Sequence, residues 1–285
     1  MQILIIGKNS YIGNHIDEWL SKYRHEVKQL DVLTDEWKTY DYSSYDAIVH
    51  VAGIVHQPDC NDWELYKRVN TDMPIAIAKM AKSQGVKQYI FFSTMGVYGL
   101  GKKLIPNVVD EDTPLLAESM YGKSKLLAEE GLVRLQDTDF DVVCVRPPSV
   151  YGKGCRGGYI TGFVSIVRCC PIIPQAYENV KQSFVYIDNL TEFVRVVIEN
   201  KLHGVFCPQD NKSVSANELL RAITIGLGMK YRASRMLGLL VRLFHFIPLI
   251  KKAYGGVEYS MSLSSFDKIK YVIVPFEEGI RRTVS

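Results

Sequence analysis

Short apolar runs alternate with longer helical patterns through the first half of the chain. Five runs have the length and apolar content of β-strands, at residues 2–6, 26–30, 47–51, 88–93 and 141–146. Three stretches between them have helical spacing, at residues 12–22, 71–83 and 119–135, and Gly85 is placed to end the second. This alternation predicts an α/β fold of the Rossmann type, with a doubly wound parallel sheet covered by helices on both faces.

The regular alternation ends after Arg146. Beyond it, prolines and glycines divide the chain into short helical pieces. We therefore expect a dinucleotide-binding Rossmann domain over residues 1–150 and a smaller, irregular lobe over residues 151–285 that mainly binds the substrate. One further strand, near residues 183–187, is expected to return to the sheet.

Composition narrows the class of protein and its partners. The chain has 285 residues, of which 47% are hydrophobic and 23% charged, as in an ordinary folded protein. The formal net charge is only +3 and the basic residues are scattered, so nucleic acid is not indicated as a partner. The six cysteines show no spacing typical of a zinc site, so no metal is expected. The apolar run 2–6 is too short for a signal peptide, and we expect a cytoplasmic protein.

An apolar stretch at residues 236–250 departs from this pattern. It is shorter than the roughly 20 apolar residues that span a bilayer, and it contains Arg242 and His245. One interpretation is a packed helix of the C-terminal region. Because basic residues such as Arg235 and Lys251 flank the stretch, peripheral contact with a membrane surface is the other.

A glycine loop follows the first predicted strand and opens the first helix. Residues 7–13 read Gly-Lys-Asn-Ser-Tyr-Ile-Gly. Backbone amides at a helix N-terminus bind phosphate, and glycines let the backbone approach it closely. Two glycines at this spacing recur by chance, but the strand before them and the helix after them indicate a dinucleotide site.

Asp31 ends the second predicted strand, 18 residues after Gly13. A carboxylate at this point accepts hydrogen bonds from both ribose hydroxyls and repels a 2′-phosphate. NAD is therefore favoured over NADP, although Lys8 leaves room for NADP.

The spacing Tyr-x-x-x-Lys occurs three times, beginning at Tyr98, Tyr121 and Tyr177. Tyr98 lies among glycines and Tyr177 follows two prolines, so only Tyr121 lies on a continuous helical pattern. On a helix this spacing puts the phenol of Tyr121 and the ammonium of Lys125 on one face. We expect that ammonium, together with a cationic nicotinamide, to lower the pKa of Tyr121 from its usual value near 10 and so to suit it to acid–base catalysis.

Five motifs follow one another in order along the chain. They are residues 7–13, residues 50–53 (His-Val-Ala-Gly), residues 93–99 (Ser-Thr-Met-Gly-Val-Tyr-Gly), residues 121–125 (Tyr-Gly-Lys-Ser-Lys) and residues 146–152 (Arg-Pro-Pro-Ser-Val-Tyr-Gly). Together they resemble the extended short-chain dehydrogenases/reductases of the NAD-dependent epimerase/dehydratase family. Residues 183–190 and 276–282 are similar too, so the resemblance extends over nearly the whole chain. It implies hydride transfer at a carbon of a sugar carried by a nucleoside diphosphate.

The resemblance also implies roles for individual residues. Thr94, Tyr121 and Lys125 take the catalytic positions, with Tyr121 as the acid/base and Lys125 on the nicotinamide ribose. The residues assigned to the cofactor are Gly7, Asn9, Ser10, Tyr11, Ile12, Gly13, Asp31, Ala52, Gly53, Asn70, Lys125 and Arg146. Those assigned to the substrate are Ser93, Ser149, Arg156 and Gln182.

Departures from the family pattern narrow the reaction. Members that dehydrate the sugar resemble one another in an Asp-Glu pair directly after the catalytic Ser/Thr, whereas this chain has Met95 and Gly96. That difference leaves epimerisation or reduction of a keto sugar. Ser10 replaces the middle glycine of the phosphate loop and is small enough for the same close approach.

Two further departures concern the substrate. Ser149 stands where many 4-epimerases have an asparagine, and Gln182 stands where many have an arginine for the nucleotide phosphates. Arg156 and Arg168 are the candidates to supply that missing charge.

These features predict an NAD-dependent epimerase or 4-ketoreductase of a nucleoside diphosphate sugar, similar to small bacterial enzymes of surface-polysaccharide synthesis. Two other classes stay open: a reductase of a small apolar ketone, such as a steroid or terpenoid, and a non-catalytic dinucleotide sensor. The helix predicted over residues 119–135 is also a candidate for a homodimer interface, as in the family.

Overall fold

The computed structural model describes residues 1–55, 62–155, 159–170, 172–266 and 269–285. Its strands are β1 (Gln2–Ile6), β2 (Glu26–Leu30), β3 (Ala47–His50), β4 (Gln88–Phe92), β5 (Val108–Val109), β6 (Asp141–Val145), β7 (Ser149–Tyr151), β8 (Ile172–Pro174), β9 (Lys181–Gln182), β10 (Phe184–Tyr186), β11 (Gly204–Phe206), β12 (Val214–Ser215), β13 (Arg232–Ser234) and β14 (Glu258–Tyr259). Its helices are α1 (Tyr11–Lys22), α2 (Trp63–Lys67), α3 (Met73–Ser83), α4 (Met120–Val133), α5 (Tyr159–Cys169), α6 (Ile187–Glu199), α7 (Ala216–Gly226), α8 (Arg235–Leu243), α9 (Pro248–Tyr254) and α10 (Phe276–Val284). A turn of π-helix (Arg68–Asp72) joins α2 to α3, and 3-10 turns occupy Asp35–Lys38, Met95–Tyr98 and Ser262–Ser264.

The central sheet has six parallel strands in the order β2-β1-β3-β4-β6-β11. Five of them are the strands that the apolar runs predict. The direction in which the chain moves across the sheet reverses between β1 and β3, and open α/β sheets bind ligands at the carboxyl ends of the strands at such a point. Gly7 and Val51 directly follow these two strands, so the predicted phosphate loop lies there.

Helices cover both faces of this sheet. Leu4 of β1 belongs to one buried cluster with Ile77 of α3 and Leu132 of α4. Its neighbour Ile5 points to the opposite face, where a Cβ atom added to Gly13 of α1 would lie 3.3 Å from Ile5 Cγ2. Strands β3 and β4 are buried along their whole length, as expected for a parallel sheet that is covered twice. The predicted doubly wound α/β fold is confirmed.

The strand predicted near residues 183–187 forms, but the expectation that it joins the central sheet was wrong. β10 pairs in parallel with β7 in a separate two-stranded sheet. The sixth strand of the central sheet is β11, which pairs with β6. The Phe-Val-Tyr of β10 is rich in strand-forming residues, which predicts a strand but not its partner. The Gly-Val-Phe of β11 is too short for a periodic signal.

Packing divides the chain into two units, each assembled from separate segments. The first unit comprises Met1–Gly99, Pro114–Pro147 and Thr191–Cys207 and contains the central sheet. The second comprises Leu100–Thr113, Pro148–Leu190 and Pro208–Ser285. In the second unit four two-stranded sheets accompany α5 and α7 to α10 among the described residues.

The apolar stretch at residues 236–250 forms two helices, α8 and α9, in place of the single helix expected. Pro248 occupies the first turn of α9, where an amide proton is not needed, and its ring would interrupt a continuing α8. Val241 and Ile250 pack against a buried cluster that includes Ala176 and Tyr254. One face of this segment is therefore part of the interior of the second unit.

Candidate active site

The phosphate loop requires glycine at its first position. Gly7 has a φ of 122°, which a residue with a side chain rarely adopts. A Cβ atom there would also lie 2.9 Å from Val51 Cγ2 and 3.0 Å from the amide nitrogen of Ala52. The loop after β1 and the loop after β3 are thus in direct contact. Asn9, also predicted for the cofactor, has a φ of 61°, and its amide donates to Gln29 Oε1.

Ser10, in place of the middle glycine, caps α1. Its hydroxyl donates to the carbonyl oxygen of Gly7 at 2.8 Å and accepts from the amide of Gly13 at 3.1 Å. A Cβ atom on Gly13 would lie 2.5 Å from that hydroxyl oxygen, which fixes glycine there. Tyr11 and Ile12 begin α1, and the backbone amides in the first turn of a helix have no acceptor within the helix. The loop therefore has the backbone of an anion site.

A cleft of about 790 Å³ opens beside this loop, within the first unit. Among the residues that line it are Gly7, Lys8, Ser10, Asp31, Val32, Leu33, Asp35, Trp37, Lys38, Ala52, Gly53, Ile54, Leu65, Arg68, Val69, Asp72, Met73 and Ala76. Asp31 lies just after β2, and its carboxylate accepts a hydrogen bond from the amide of Leu33 at 2.9 Å. The cleft combines apolar walls with a few charged groups, which is typical of a cofactor site.

Gly53 and Asn70 join the cleft to α4. Asn70 is fully buried in the π-helical turn, and its side-chain amide bonds both the N–H and the C=O of Ile54, at 2.8 and 2.9 Å. The same amide donates to Ser124 Oγ of α4 at 3.0 Å. A Cβ atom on Gly53 would lie 2.9 Å from Asn70 Oδ1 and 3.1 Å from Lys125 Nζ. The π-helical turn that carries Asn70 is a feature common at functional sites.

Thr94 and Tyr121 are brought together by the turn after β4. The Thr94 hydroxyl caps this turn by accepting from the amide of Gly96 at 3.1 Å, and it lies close enough to the Tyr121 phenol to lower the pKa of that group. The N-terminus of α4 approaches so closely that a Cβ atom on Gly122 would lie 2.6 Å from the Gly96 carbonyl oxygen. Gly122 is a residue that sequence reasoning missed, although a glycine inside a helical pattern was the available signal.

Lys125 is buried one turn further along α4. Its ammonium donates to the carbonyl oxygen of Phe92 at 2.8 Å and lies 4.5 Å from the centre of the Phe91 ring. Burial lowers the pKa of Lys125 to about 7, and the nearby carboxylate of Glu129 opposes this shift. The prediction that Tyr121 and Lys125 share a helix is confirmed.

The pKa of Tyr121 differs from the expectation. Burial raises it to about 12, and the nearby Thr94 hydroxyl only partly offsets this. The reason is that burial of the phenol disfavours its charged form. The phenol therefore keeps its proton at neutral pH in the free protein.

Ser93 and Arg146 make contacts in the interior of the first unit, and the substrate and cofactor contacts expected of them stay predictions. The Ser93 hydroxyl donates to Glu129, and Ser93 is buried. The Arg146 guanidinium donates to both carboxylate oxygens of Glu129 and, at 2.9 Å, to the Tyr98 hydroxyl. A buried guanidinium needs such partners to offset the loss of water. Sequence reasoning missed Glu129 because its only signal was a polar residue in a helix.

The substrate residues predicted after residue 148 lie in the second unit. Ser149 in β7 and Gln182 in β9 are neighbours, and the Gln182 amide donates to Ser149 Oγ at 3.2 Å. Gln182 is 9% exposed, so its side chain is turned into the unit. Arg156 lies outside the described residues.

Comparison with known proteins decides the family. The profile of the NAD dependent epimerase/dehydratase family matches residues 3–206, which include the phosphate loop, Thr94 and α4. The chain belongs to this epimerase/dehydratase family. The resemblance carried by the five motifs is thereby confirmed.

Relatives of this epimerase/dehydratase chain include proteins named 4-epimerases. The UDP-glucose 4-epimerase of Vibrio cholerae is 30% identical over 248 residues, which cover 79% of this chain and 75% of that protein. The N-acetyl-α-D-glucosaminyl-diphospho-ditrans,octacis-undecaprenol 4-epimerase of Escherichia coli O157:H7 is 26% identical over 247 residues, which cover 80% and 73%.

Solved structures share the fold. The Bordetella bronchiseptica enzyme WbmG in complex with NAD is 20% identical and superposes with a TM-score of 0.74, covering 98% of this chain and 91% of that one. Other structures of the same fold contain NADPH.

Proposed function

We propose that this epimerase/dehydratase family member is an NAD-dependent enzyme that transfers a hydride at a ring carbon of a nucleoside diphosphate sugar, as a 4-epimerase or a 4-ketoreductase. The observation that supports the proposal most directly is that the Thr94 hydroxyl lies close enough to the Tyr121 phenol to lower its pKa, while Lys125 lies against Gly53 at the wall of the cleft. The phenol of Tyr121, the hydroxyl of Thr94 and the amino group of Lys125 thus belong to the same unit as a cleft whose apolar walls and few charged groups suit a dinucleotide.

The described residues fit NAD at three points. Gly7 and Gly13 have no side chain to cover the backbone of the phosphate loop. A Cβ atom at either residue would also meet a neighbouring atom within 3.0 Å. The Asp31 carboxylate lies in the same cleft and suits a ribose diol. Lys125 is held where its ammonium borders Gly53. When bound, NAD supplies the carbon that accepts and returns the hydride.

The proton is handled by Tyr121 with Thr94. Because burial keeps the phenol protonated at neutral pH, Tyr121 Oη is poised to donate to a sugar carbonyl oxygen as the hydride arrives. In the reverse direction the phenolate that this donation leaves on Tyr121 takes the hydroxyl proton back. The Thr94 hydroxyl, which lies close to the Tyr121 phenol, orients the substrate oxygen. Met95 and Gly96 offer no acid–base pair for loss of water, which favours epimerisation or reduction over dehydration.

The test is a substrate panel with a matched pair of variants. UDP-glucose, UDP-GlcNAc, a UDP-4-keto sugar and a polyprenyl diphosphate sugar are each offered with NADH or NADPH, and products are identified by NMR. Tyr121→Phe is expected to lower turnover by about 10²-fold or more while the cofactor still binds. Tyr177→Phe, which alters another Tyr-x-x-x-Lys match, is expected to leave turnover unchanged.

The outcomes separate the candidate functions. Cofactor retained through purification favours the epimerase, which regenerates NAD in place, whereas turnover that needs added NADH favours the reductase. Full activity of Tyr121→Phe would refute the mechanism. Cofactor binding without turnover of any sugar would favour the non-catalytic sensor.

A further inference from the structure

The segment formed by α8, α9 and the turn between them has an outer face that is strongly apolar. Met236, Leu239, Leu243, Phe246 and Leu249 are each 65–74% exposed. Within α8 the first three recur at the spacing of one helical face. Exposed apolar residues scattered singly need no explanation, but a contiguous group of this kind marks an interaction surface. We call these five side chains the outer face.

The outer face is held rigidly, because the opposite side of the segment is packed. A Cβ atom on Gly238 would lie 1.9 Å from the carbonyl oxygen of Gln175, so α8 lies directly on that backbone. Val241 and Ile250 pack on the cluster that contains Tyr254, which is itself buried. The side chains of the outer face are therefore not part of the core of the second unit.

The charged residues in the stretch of chain that carries the outer face are of one sign. Residues 219–257 contain no aspartate or glutamate. The same stretch contains Arg221, Lys230, Arg232, Arg235, Arg242, Lys251 and Lys252, all exposed. A short amphipathic helix with apolar residues on one face and Lys or Arg around it binds the interface of anionic lipids, by burial of the apolar side chains and by attraction to the headgroups.

We propose that the outer face of α8 and α9 docks on an anionic membrane surface, with the surrounding lysines and arginines on the lipid headgroups. A second copy of the chain fits this surface less well. A two-fold interface would place the lysines and arginines of one copy against those of the other, and residues 219–257 contain no acidic residue to pair with them. Docking here is peripheral: no described helix has the length and hydropathy to cross a bilayer. The proposal stands independently of the proposed reaction.

The experiment is flotation of the full chain with vesicles. One set is made of phosphatidylcholine alone and the other of phosphatidylcholine mixed with phosphatidylglycerol. The wild type is expected to float with the mixed vesicles and to be released by high salt. Leu239→Glu is expected to weaken that binding by more than about tenfold, because it replaces an apolar side chain that the membrane would bury by a negative charge beside anionic lipid. The matched control is Ile225→Glu on α7, which adds the same charge at a residue 58% exposed and is expected to bind as the wild type does.

Circular dichroism and thermal unfolding establish that both variants are folded. A Leu239→Glu variant that unfolds is replaced by Lys251→Glu/Lys252→Glu, which is expected to lose the salt-sensitive part of binding. Wild-type protein that stays in solution with mixed vesicles would overturn the proposal, as would equal binding of Leu239→Glu and Ile225→Glu. Sedimentation without lipid tests the second copy: a wild-type dimer that Leu239→Glu dissociates would also overturn it.

Discussion

Glu129 of α4 and Arg146, which follows β6, form a two-pronged ion pair in the interior of the first unit. The guanidinium donates through both Nε and Nη2, the latter at 2.6 Å, and neither side chain is more than 9% exposed. The same carboxylate accepts the Ser93 hydroxyl directly beside Thr94. Glu129 therefore anchors α4 to the end of β4 by a hydrogen bond and to the end of β6 by an ion pair.

Loss of Glu129 leaves the guanidinium of Arg146 buried without its main partner. Glu129→Ala is expected to lower the free energy of unfolding by about 3–5 kcal/mol, as measured by urea denaturation. The double variant Glu129→Leu/Arg146→Met is expected to recover a large part of this loss, since no charge is then stranded. Lys87→Ala, which breaks an exposed pair with Asp139, serves as the control and is expected to cost less than about 1 kcal/mol. Equal losses in Glu129→Ala and the control would contradict the account.

Gly13→Ala tests whether the loop that Ser10 closes by its hydrogen bonds to Gly7 and Gly13 holds the cofactor. The added Cβ would lie 2.5 Å from Ser10 Oγ, so the cap must break or α1 must shift. We expect NAD affinity to fall by about tenfold or more, measured by titration calorimetry, with a smaller loss of thermal stability. Gly101→Ala is the control, because a Cβ atom there has nothing within 4 Å. Unchanged affinity in Gly13→Ala would show that the loop does not hold the cofactor.

The buried Lys125 makes stability depend on pH. Its pKa is about 7 in the fold, and in the unfolded chain it returns to about 10.4, so unfolding takes up a proton between these values. The penalty on the fold is complete below pH 7 and is relieved as the pH rises toward 10. Relative to Lys125→Met, the wild type is expected to gain stability between pH 7 and 9, by at most about 1.4 kcal/mol per pH unit. Parallel pH profiles of the two proteins would rule out the depressed pKa.

Asp31 is expected to decide between NAD and NADP. Replacing its carboxylate in Asp31→Ser removes the repulsion of a 2′-phosphate and one ribose partner, so the preference for NAD over NADP is expected to fall by about tenfold or more. Trp37 also lines the cleft, and its fluorescence provides the binding signal. Asp35→Ser, which alters another carboxylate of the same cleft, is the control. An unchanged preference for NAD over NADP would show that residues other than Asp31 discriminate between the two cofactors.

The sequence predicted what depends on local chemistry and missed what depends on partners distant in the chain. The strand before Gly7 and the helix that carries Tyr121 and Lys125 have periodic patterns, and both elements lie where those patterns predict them. No pattern revealed that β10 pairs with β7, because pairing is set by the whole fold. The ion pair of Arg146 with Glu129, which is 17 residues away, was not predicted either.

The pKa values of the site were the hardest to predict. Charges adjacent in sequence suggested that Lys125 lowers the pKa of Tyr121. Burial, which only the packed fold reveals, acts on both groups and reverses the direction for Tyr121 in the free protein.

Ser10 has a consequence for how a dinucleotide is received. A glycine at this position would leave the loop after β1 free to sample several conformations, and a ligand would have to select one of them. Here the hydroxyl ties Gly7 to Gly13 through two hydrogen bonds of its own. The conformational entropy of the loop is thus given up when the chain folds and not when the cofactor arrives, which makes the site a preorganised template.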